Sequence, residues 1–406
     1  MKIRSVTCFY DPSARYADQH LRQLGKLARE AKEQFGATGY EVQTIRLATI
    51  PFPQMVPTCC DESAVRLAVQ MEMDAREQGF DYLSFGPATT DEAESYRLIP
   101  AMLSATETVF LSASLTSGSH MNLDAVWAAA RIVFEAARIT PDGFTNLRFA
   151  ALANVPAGSP FFPAAYHQAG TPPTFALALE SADVAVTALG GEGSVEERRK
   201  RWLETLELHA VALQKVAESL SNQFGIRFGG FDFSPAPFPD ASCSLGGAIE
   251  SLSGVPLGSS GSLAAAAICA ETLDRGTWLR TGFNGLMLPV LEDSILAKRA
   301  AEGSLTVKDL LMYSAVCGTG LDTVPLPGDA DVGSLAALLL DVAALAVRLN
   351  KPLTARLMPV PGKAAGEPVV FDFAYFAPGA VMALPVVALT GPLAGGGSVD
   401  INPRRY

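Results

Sequence analysis

Asp232 and Ser234 stand two residues apart where a strongly β-forming run, Ile226 to Phe233, passes into Ser234-Pro235-Ala236-Pro237. On an extended backbone, residues i and i+2 share a side. A carboxylate and a hydroxyl placed so at the carboxyl end of a parallel strand would point into the usual site position of an α/β fold. Asp232 would then act as a general base or orient Ser234. The alternative is that Asp232 caps a turn and Ser234 serves a backbone group before Pro235. Tyr166-His167, at the end of an aromatic loop, is the best acid–base pair among only four histidines, with a packed loop histidine as its alternative reading. Cys243 precedes Leu245-Gly246-Gly247 at the mouth of a helix, where a thiol can become nucleophilic. Cys317, in Val316-Cys317-Gly318-Thr319-Gly320, has a similar case. Both also read as small buried apolar residues.

Anion-binding candidates are of two kinds. Arg356 interrupts the apolar run Leu353 to Val360, so if buried it needs a partner: a substrate carboxylate held bidentately, or a structural Asp. Lys363 follows in the next Gly-rich loop. Ser260 and Gly261 precede an Ala-rich helix whose first N–H groups form a cradle, without a nucleotide signature. Asn284, in Gly282-Phe283-Asn284-Gly285, completes the ligand-binding set. With no HxH, HExxH or CxxC, no metal is expected. Convergence of Asp232, Glu292, Asp293 and Asp322 would instead make an oxygen site for Mg²⁺ or Ca²⁺. Helix caps and solvated turns are the plainer account of these carboxylates.

The elements that must position these residues alternate throughout. Strands are predicted at Ile3 to Phe9, Val42 to Leu47, Tyr82 to Phe85, Val109 to Ser114, Arg148 to Ala153, Val184 to Leu189, Ile226 to Phe233, Thr354 to Met358 and Val386 to Leu389. Helices are predicted over Asp18 to Phe35, Glu62 to Gly79, Leu123 to Ala137, Ser194 to Asn222, Ser262 to Leu273 and Leu335 to Leu349. Thr89 with Glu92 and Ser194 with Glu197 have capping-box spacing. The pattern predicts an α/β architecture with parallel strands, about ten in number, in one domain over 1–406. Residues 1–225 read as scaffold. Residues 226–406 carry long Gly/Pro/Ser loops and fewer charges, and read as the site half.

Those loops carry a resemblance. FDFSPAP, GFNGLMLPVLED, CGTGLDTVPLPGD and NKPLTARLMPVPGKAAGE, with NVPAGSPFFPAAYH and the opening KIRSVT, are similar to a bacterial and archaeal family of proteins of unknown function. The resemblance covers nearly the whole chain. It implies a large ten-stranded α/β barrel like that of pyruvate formate-lyase and other glycyl-radical enzymes, and it brings no catalytic assignments. The tail GPLAGGGSVDINPRRY lacks the Arg-Val-x-Gly-aromatic segment of glycyl-radical enzymes, and Cys59-Cys60 falls too early for their paired cysteines. Radical chemistry is not expected; a barrel can be shared where chemistry is not.

Composition bounds the partners. The chain has 406 residues, is 49% hydrophobic and only 18% charged, and its net charge is −11. That excludes a disordered chain and argues against nucleic acid. The basic run Arg198 to Arg201 follows Glu196 and Glu197 and reads as a solvated helix face. The uncharged stretches Phe373 to Val399 and Ser251 to Ala270 are broken by Pro and Gly or dominated by small residues, so no membrane span is expected. Sparse cysteines and the absence of an apolar leader predict a cytoplasmic protein, and low charge predicts a homo-oligomer. Three functions follow. The preferred one is a non-radical enzyme acting on a small anionic metabolite, with Arg356 and Lys363 holding the anion and Asp232, Ser234 and His167 moving protons. The others are a metabolite-binding sensor and an assembly protein.

Overall fold

The computed structural model describes residues 1–56, 61–316, 319–384 and 389–404. Its centre is one mixed sheet of nine strands. In chain order these are β1 (Lys2–Tyr10), β2 (Val42–Thr49), β3 (Tyr82–Ser84), β4 (Val109–Ser114), β5 (Phe149–Ala153), β6 (Thr174–Glu180), β7 (Arg227–Asp232), β8 (Gly320–Pro327) and β9 (Leu353–Val360). Across the sheet they run β8-β9-β5-β4-β3-β2-β1-β6-β7. The strands β1 to β5 are mutually parallel. At each flank a parallel pair runs the other way, β6 with β7 and β8 with β9. The expectation of parallel strands holds within these groups, not across them.

Helices α1 (Ala17–Ala37), α2 (Asp61–Glu77), α3 (Ile99–Ala105), α4 (Leu123–Ala136), α5 (Ala182–Gly190), α6 (Val195–Phe224), α7 (Leu245–Ser253), α8 (Ser262–Asp274), α9 (Ser294–Ala301), α10 (Val307–Val316) and α11 (Val332–Leu349) surround the sheet. Their apolar faces join it in one large core cluster running from Ile3 to Met382. Most predicted elements form within a residue or two of their expected ends. The long helix α6 opens on the predicted capping box, with both Ser194 and Glu197 side chains engaged.

Several expectations are corrected. Val184 to Leu189 is helical, within α5, while the neighbouring TFALALE supplies β6. Buried on both faces, β6 needs no alternation, and its Ala and Leu content hides it. The loop CGTGLDTVPLPGD contains β8, whose Pro325 and Pro327 are tolerated because β8 is an edge strand. Thr89 and Glu92 cap no α-helix; a 3₁₀ segment at Ala93–Leu98 precedes α3. The run Arg198 to Arg201 is a solvated face only in part: Lys200 and Arg201 are exposed, but Arg199 is buried on Glu196, Glu271 and Thr272, and Arg198 and Arg201 bond backbone carbonyls. The predicted strand at Val386 and the Cys59-Cys60 and Cys317 positions lie outside the described residues, Leu389 excepted. Among the described residues one helix, α11, is long and apolar enough to cross a membrane, and more than half of it is buried against the rest of the chain. It lies outside both uncharged stretches singled out in the sequence.

The sheet curls. Arg4 on β1 and Arg356 on β9 are five strand spacings apart, about 24 Å if the sheet were flat. Both nevertheless bond one carboxylate, Glu292, at 2.5 and 2.8 Å. A single segment also touches both edges: Phe231 of β7 pairs with Leu279 to Thr281, and Asp322 of β8 with Pro289 and Val290. The sheet has nine strands, short of the expected ten, and no closed barrel ladder is present among the described residues.

Candidate functional site

Two loops cover the inner face of the curled sheet. Residues 155–167 pack Phe161, Phe162, Ala164 and Ala165 against side chains from β1, β2, β4, β5 and β6. Thr7 and Ser84 hydroxyls bond the carbonyls of Pro160 and Ala165 at 2.8 and 2.6 Å, and the His167 N–H bonds Thr49. The second loop, 281–287, adds Phe283 and Met287. Together they leave a cavity of about 500 Å³ at the amino-terminal ends of the central strands. The expected position for a site was the opposite, carboxyl end. The flanking strands run the other way, so β6 brings its last residue, Glu180, to this end.

Arg46 on β2 projects into this cavity. Thr44, two residues back and so on the same side, accepts from its Nε at 2.8 Å. The Tyr82 and Phe162 rings lie 5.6 and 5.2 Å from its guanidinium carbon. No carboxylate pairs with it among the described residues. Burial, reinforced by the positive charges of Arg4 and Arg356, pushes its pKa down to about 10. The guanidinium is therefore held at one nitrogen and between two rings, and its terminal N–H groups meet no carboxylate among the described residues.

The other charges form a chain. Glu180 bonds Arg4 at 3.0 Å; Arg4 bonds Glu292 at 2.5 Å; Glu292 bonds Arg356 at 2.8 Å; Arg356 bonds Asp322 at 2.5 Å. Gln43 steadies Glu180 at 2.6 Å, and the Tyr375 ring covers Arg4 at 4.6 Å. Asp322 sits in a bulge of β8 beside Thr323, whose φ of +42° is strained for a β-branched residue. Burial pushes the Asp322 carboxyl up; Arg356 opposes this, and the Glu292 charge adds to it. Burial likewise raises Glu180. Arg148, the fourth guanidinium, donates to the Leu103 and Val109 carbonyls and to Thr106. Arg4 and Arg356 are thus paired with carboxylates, while Arg46 and Arg148 are not; a further carboxylate, Glu107, lines the cavity and pairs with Arg76.

The expected site residues do not gather here as a set. Arg356, Glu292 and Asp322 line the cavity; Asp232, Ser234, Asn284, Tyr166, His167, Cys243, Lys363, Ser260 and Gly261 do not. Asp232 and Asn284 lock loop 281–287 to β7. Asp232 accepts from the N–H groups of Ser234, Phe283 and Asn284 and from the Ser234 hydroxyl, at 2.7 to 3.0 Å. Burial pushes its pKa up while these donors pull it down. Asn284 accepts from Phe233 and Trp278 and donates to Phe231 and Thr281. Gly282, at φ +70°, leaves room for Asp232 that a Cβ would fill. The Tyr166 hydroxyl bonds the Val155 carbonyl, and His167 Nε2 faces the Thr171 carbonyl at 3.1 Å. Burial lowers the His167 pKa.

Burial raises the Cys243 thiol to about 12, opposite to the expected activation. Lys363 bridges Val360 and Gly328 through its backbone. Ser260 and Gly261 are exposed at the start of α8. The four carboxylates weighed for a cation do not converge: Asp293 caps α9 and bonds Ser244 and Gly246. Among the described residues no three His, Cys, Asp or Glu side chains form a metal-binding group.

Arg4, Arg46 and Glu180 went unread in the sequence. The signal was present: KIRSVT and QTIRLAT each set a lone arginine in an apolar strand, the same irregularity that marked Arg356.

Residues 1–372 match the protein family described as Uncharacterised ACR (DUF711). A UPF0210 protein of Pyrobaculum islandicum is 32% identical over 381 residues, covering 87% of this chain and 81% of that relative. UPF0210 proteins of Halothermothrix orenii and Methanosarcina acetivorans are each 28% identical; the first covers 87% of this chain and 82% of the relative, the second 85% and 80%.

Proposed function

This chain belongs to the family described as Uncharacterised ACR (DUF711), and we propose that it is an enzyme acting on a small organic anion bound at Arg46. The observation that carries the proposal is that guanidinium, half-buried in the cavity wall, fixed at Nε and flanked by two rings, with no carboxylate opposite it among the described residues. A buried charge without a counter-ion is costly, and a ligand anion would offset that cost. Catalysis is assigned to the adjacent carboxylates. Asp322, held by one guanidinium nitrogen, is the group able to take and return a proton; Glu292, held by two arginines, orients them. Such proton transfer needs no radical. The curled sheet is compatible with a pyruvate formate-lyase-like barrel in which residues 280–290 take the tenth position.

The test is ligand-induced stabilisation across a panel of small carboxylates and phosphates, with wild type beside Arg46→Met. At least one anion should raise the wild-type melting temperature and leave the variant unmoved. Equal shifts in both proteins would remove Arg46, and the proposal with it.

A further inference from the structure

The charged end of the cavity is a small part of it. At about 30 Å³ per water-sized group, acetate would fill roughly a quarter of the available 500 Å³. The remaining wall sets eight aromatic rings among aliphatic and hydroxyl side chains. Tyr82, Phe110 and Phe162 form a run of edge-to-face pairs at 5.3 and 5.4 Å beside Arg46. Elsewhere in the lining Phe144 and Phe373 meet edge to face at 5.2 Å. Phe283 comes from the loop that Asp232 anchors. Water lying against those rings would find almost no hydrogen bonds there.

We infer that the ligand is a monoanionic carboxylic acid with a flat aryl body. The inference rests on the anion-binding reading of Arg46 and extends it to the rest of the molecule bound. Arg46 selects the head group: its terminal N–H groups meet no carboxylate among the described residues, and one carboxylate can pair with them bidentately. Shape and surface select the body. Two groups of rings in the lining can accept another ring by offset stacking or edge-to-face contact, which an alkyl chain cannot reproduce. The Arg46 fork takes the carboxylate while Tyr82 and Phe162 fix its plane.

The probes are acetate, hexanoate, cinnamate and its neutral counterpart cinnamyl alcohol, titrated calorimetrically into the full chain. Cinnamate should bind at least about tenfold tighter than hexanoate or acetate, and the alcohol should not bind measurably. Phe373→Ala, in a half-buried loop position, and Phe110→Leu should each weaken cinnamate while leaving the weak acetate affinity unchanged; the melting temperature of each variant reports whether it folds. Hexanoate equal to cinnamate overturns the aryl body, and acetate equal to both overturns the need for any body. Alcohol equal to cinnamate instead refutes the anion-binding reading. Absence of binding by all four overturns this ligand class, and the panel of small anions against Arg46→Met then decides separately whether the anion site survives.

Discussion

Arg356→Ala tests whether the charge chain holds the site together. Arg356 bonds Asp322 at 2.5 Å and Glu292 at 2.8 Å, and all three side chains are nearly shut off from solvent, at 10, 13 and 8% exposure. Removing one partner of a buried pair costs about 3–5 kcal/mol, because the other charge is left without compensation. Glu292 keeps Arg4, so the cost falls mainly on Asp322. With an unfolding entropy of about 2.1 cal/mol/K per residue over 406 residues, this corresponds to roughly 4–6 °C in melting temperature. Asp322 already has a raised pKa, and without Arg356 it should rise further. Protonation then relieves the variant in acid, so its deficit should be larger at pH 8 than at pH 5. Arg356→Met with Asp322→Leu removes both charges and should recover most of the loss. The assay is thermal unfolding of the single, paired and wild-type proteins across that pH range. A loss below about 1 °C, or one as large in the paired variant as in the single, would refute the reasoning.

Other outcomes follow from groups outside the cavity. Burial holds His167 neutral below its ordinary pKa of 6.5, so the unfolded chain binds a proton that the native one does not; stability should fall as pH drops below 6.5. His167→Gln should flatten that slope, and the part left belongs to His209, which is shifted in the same direction. Cys243, raised to about 12, should alkylate with iodoacetamide at pH 8 far more slowly than a free thiol; a comparable rate would contradict its burial. Asp232→Ala should cost about 3–5 kcal/mol in urea unfolding by orphaning three buried N–H groups, and should weaken cavity binding through Phe283. Gly282→Ala should mimic it in the same assays, since its Cβ would collide with the Asp232 carboxylate.

The alternation of elements was legible because β1, β2 and β4 are β-branched or apolar runs set against amphipathic helices such as α1. What sequence could not show was direction and closure. Nothing in TFALALE says that β6 runs against β1, and local pattern carries no information about which strand it meets. The site was half legible for the same reason. Arg356 declared itself as a charge inside an apolar strand, but its partners Glu292 and Asp322 lie 64 and 34 residues away. Asp232 was conspicuous because four donors need it, and that need is architectural. Position in sequence says where a carboxylate is; only tertiary contact says what it is for.

The bond from Arg4 to Glu292 joins residues 288 apart in the chain. At a synthesis rate of about 5–20 residues per second, Arg4 is made roughly 15–60 s before its second carboxylate exists. Until then β1 carries a strand-borne arginine balanced only by Glu180, itself 176 residues away. The curl of the sheet cannot be fastened before the last third of the chain emerges, so the cavity is among the final parts of the molecule to take shape. Binding activity should accordingly appear late in refolding, after most helix signal has returned, with the ligand recognising the completed chain and no partly made form of it.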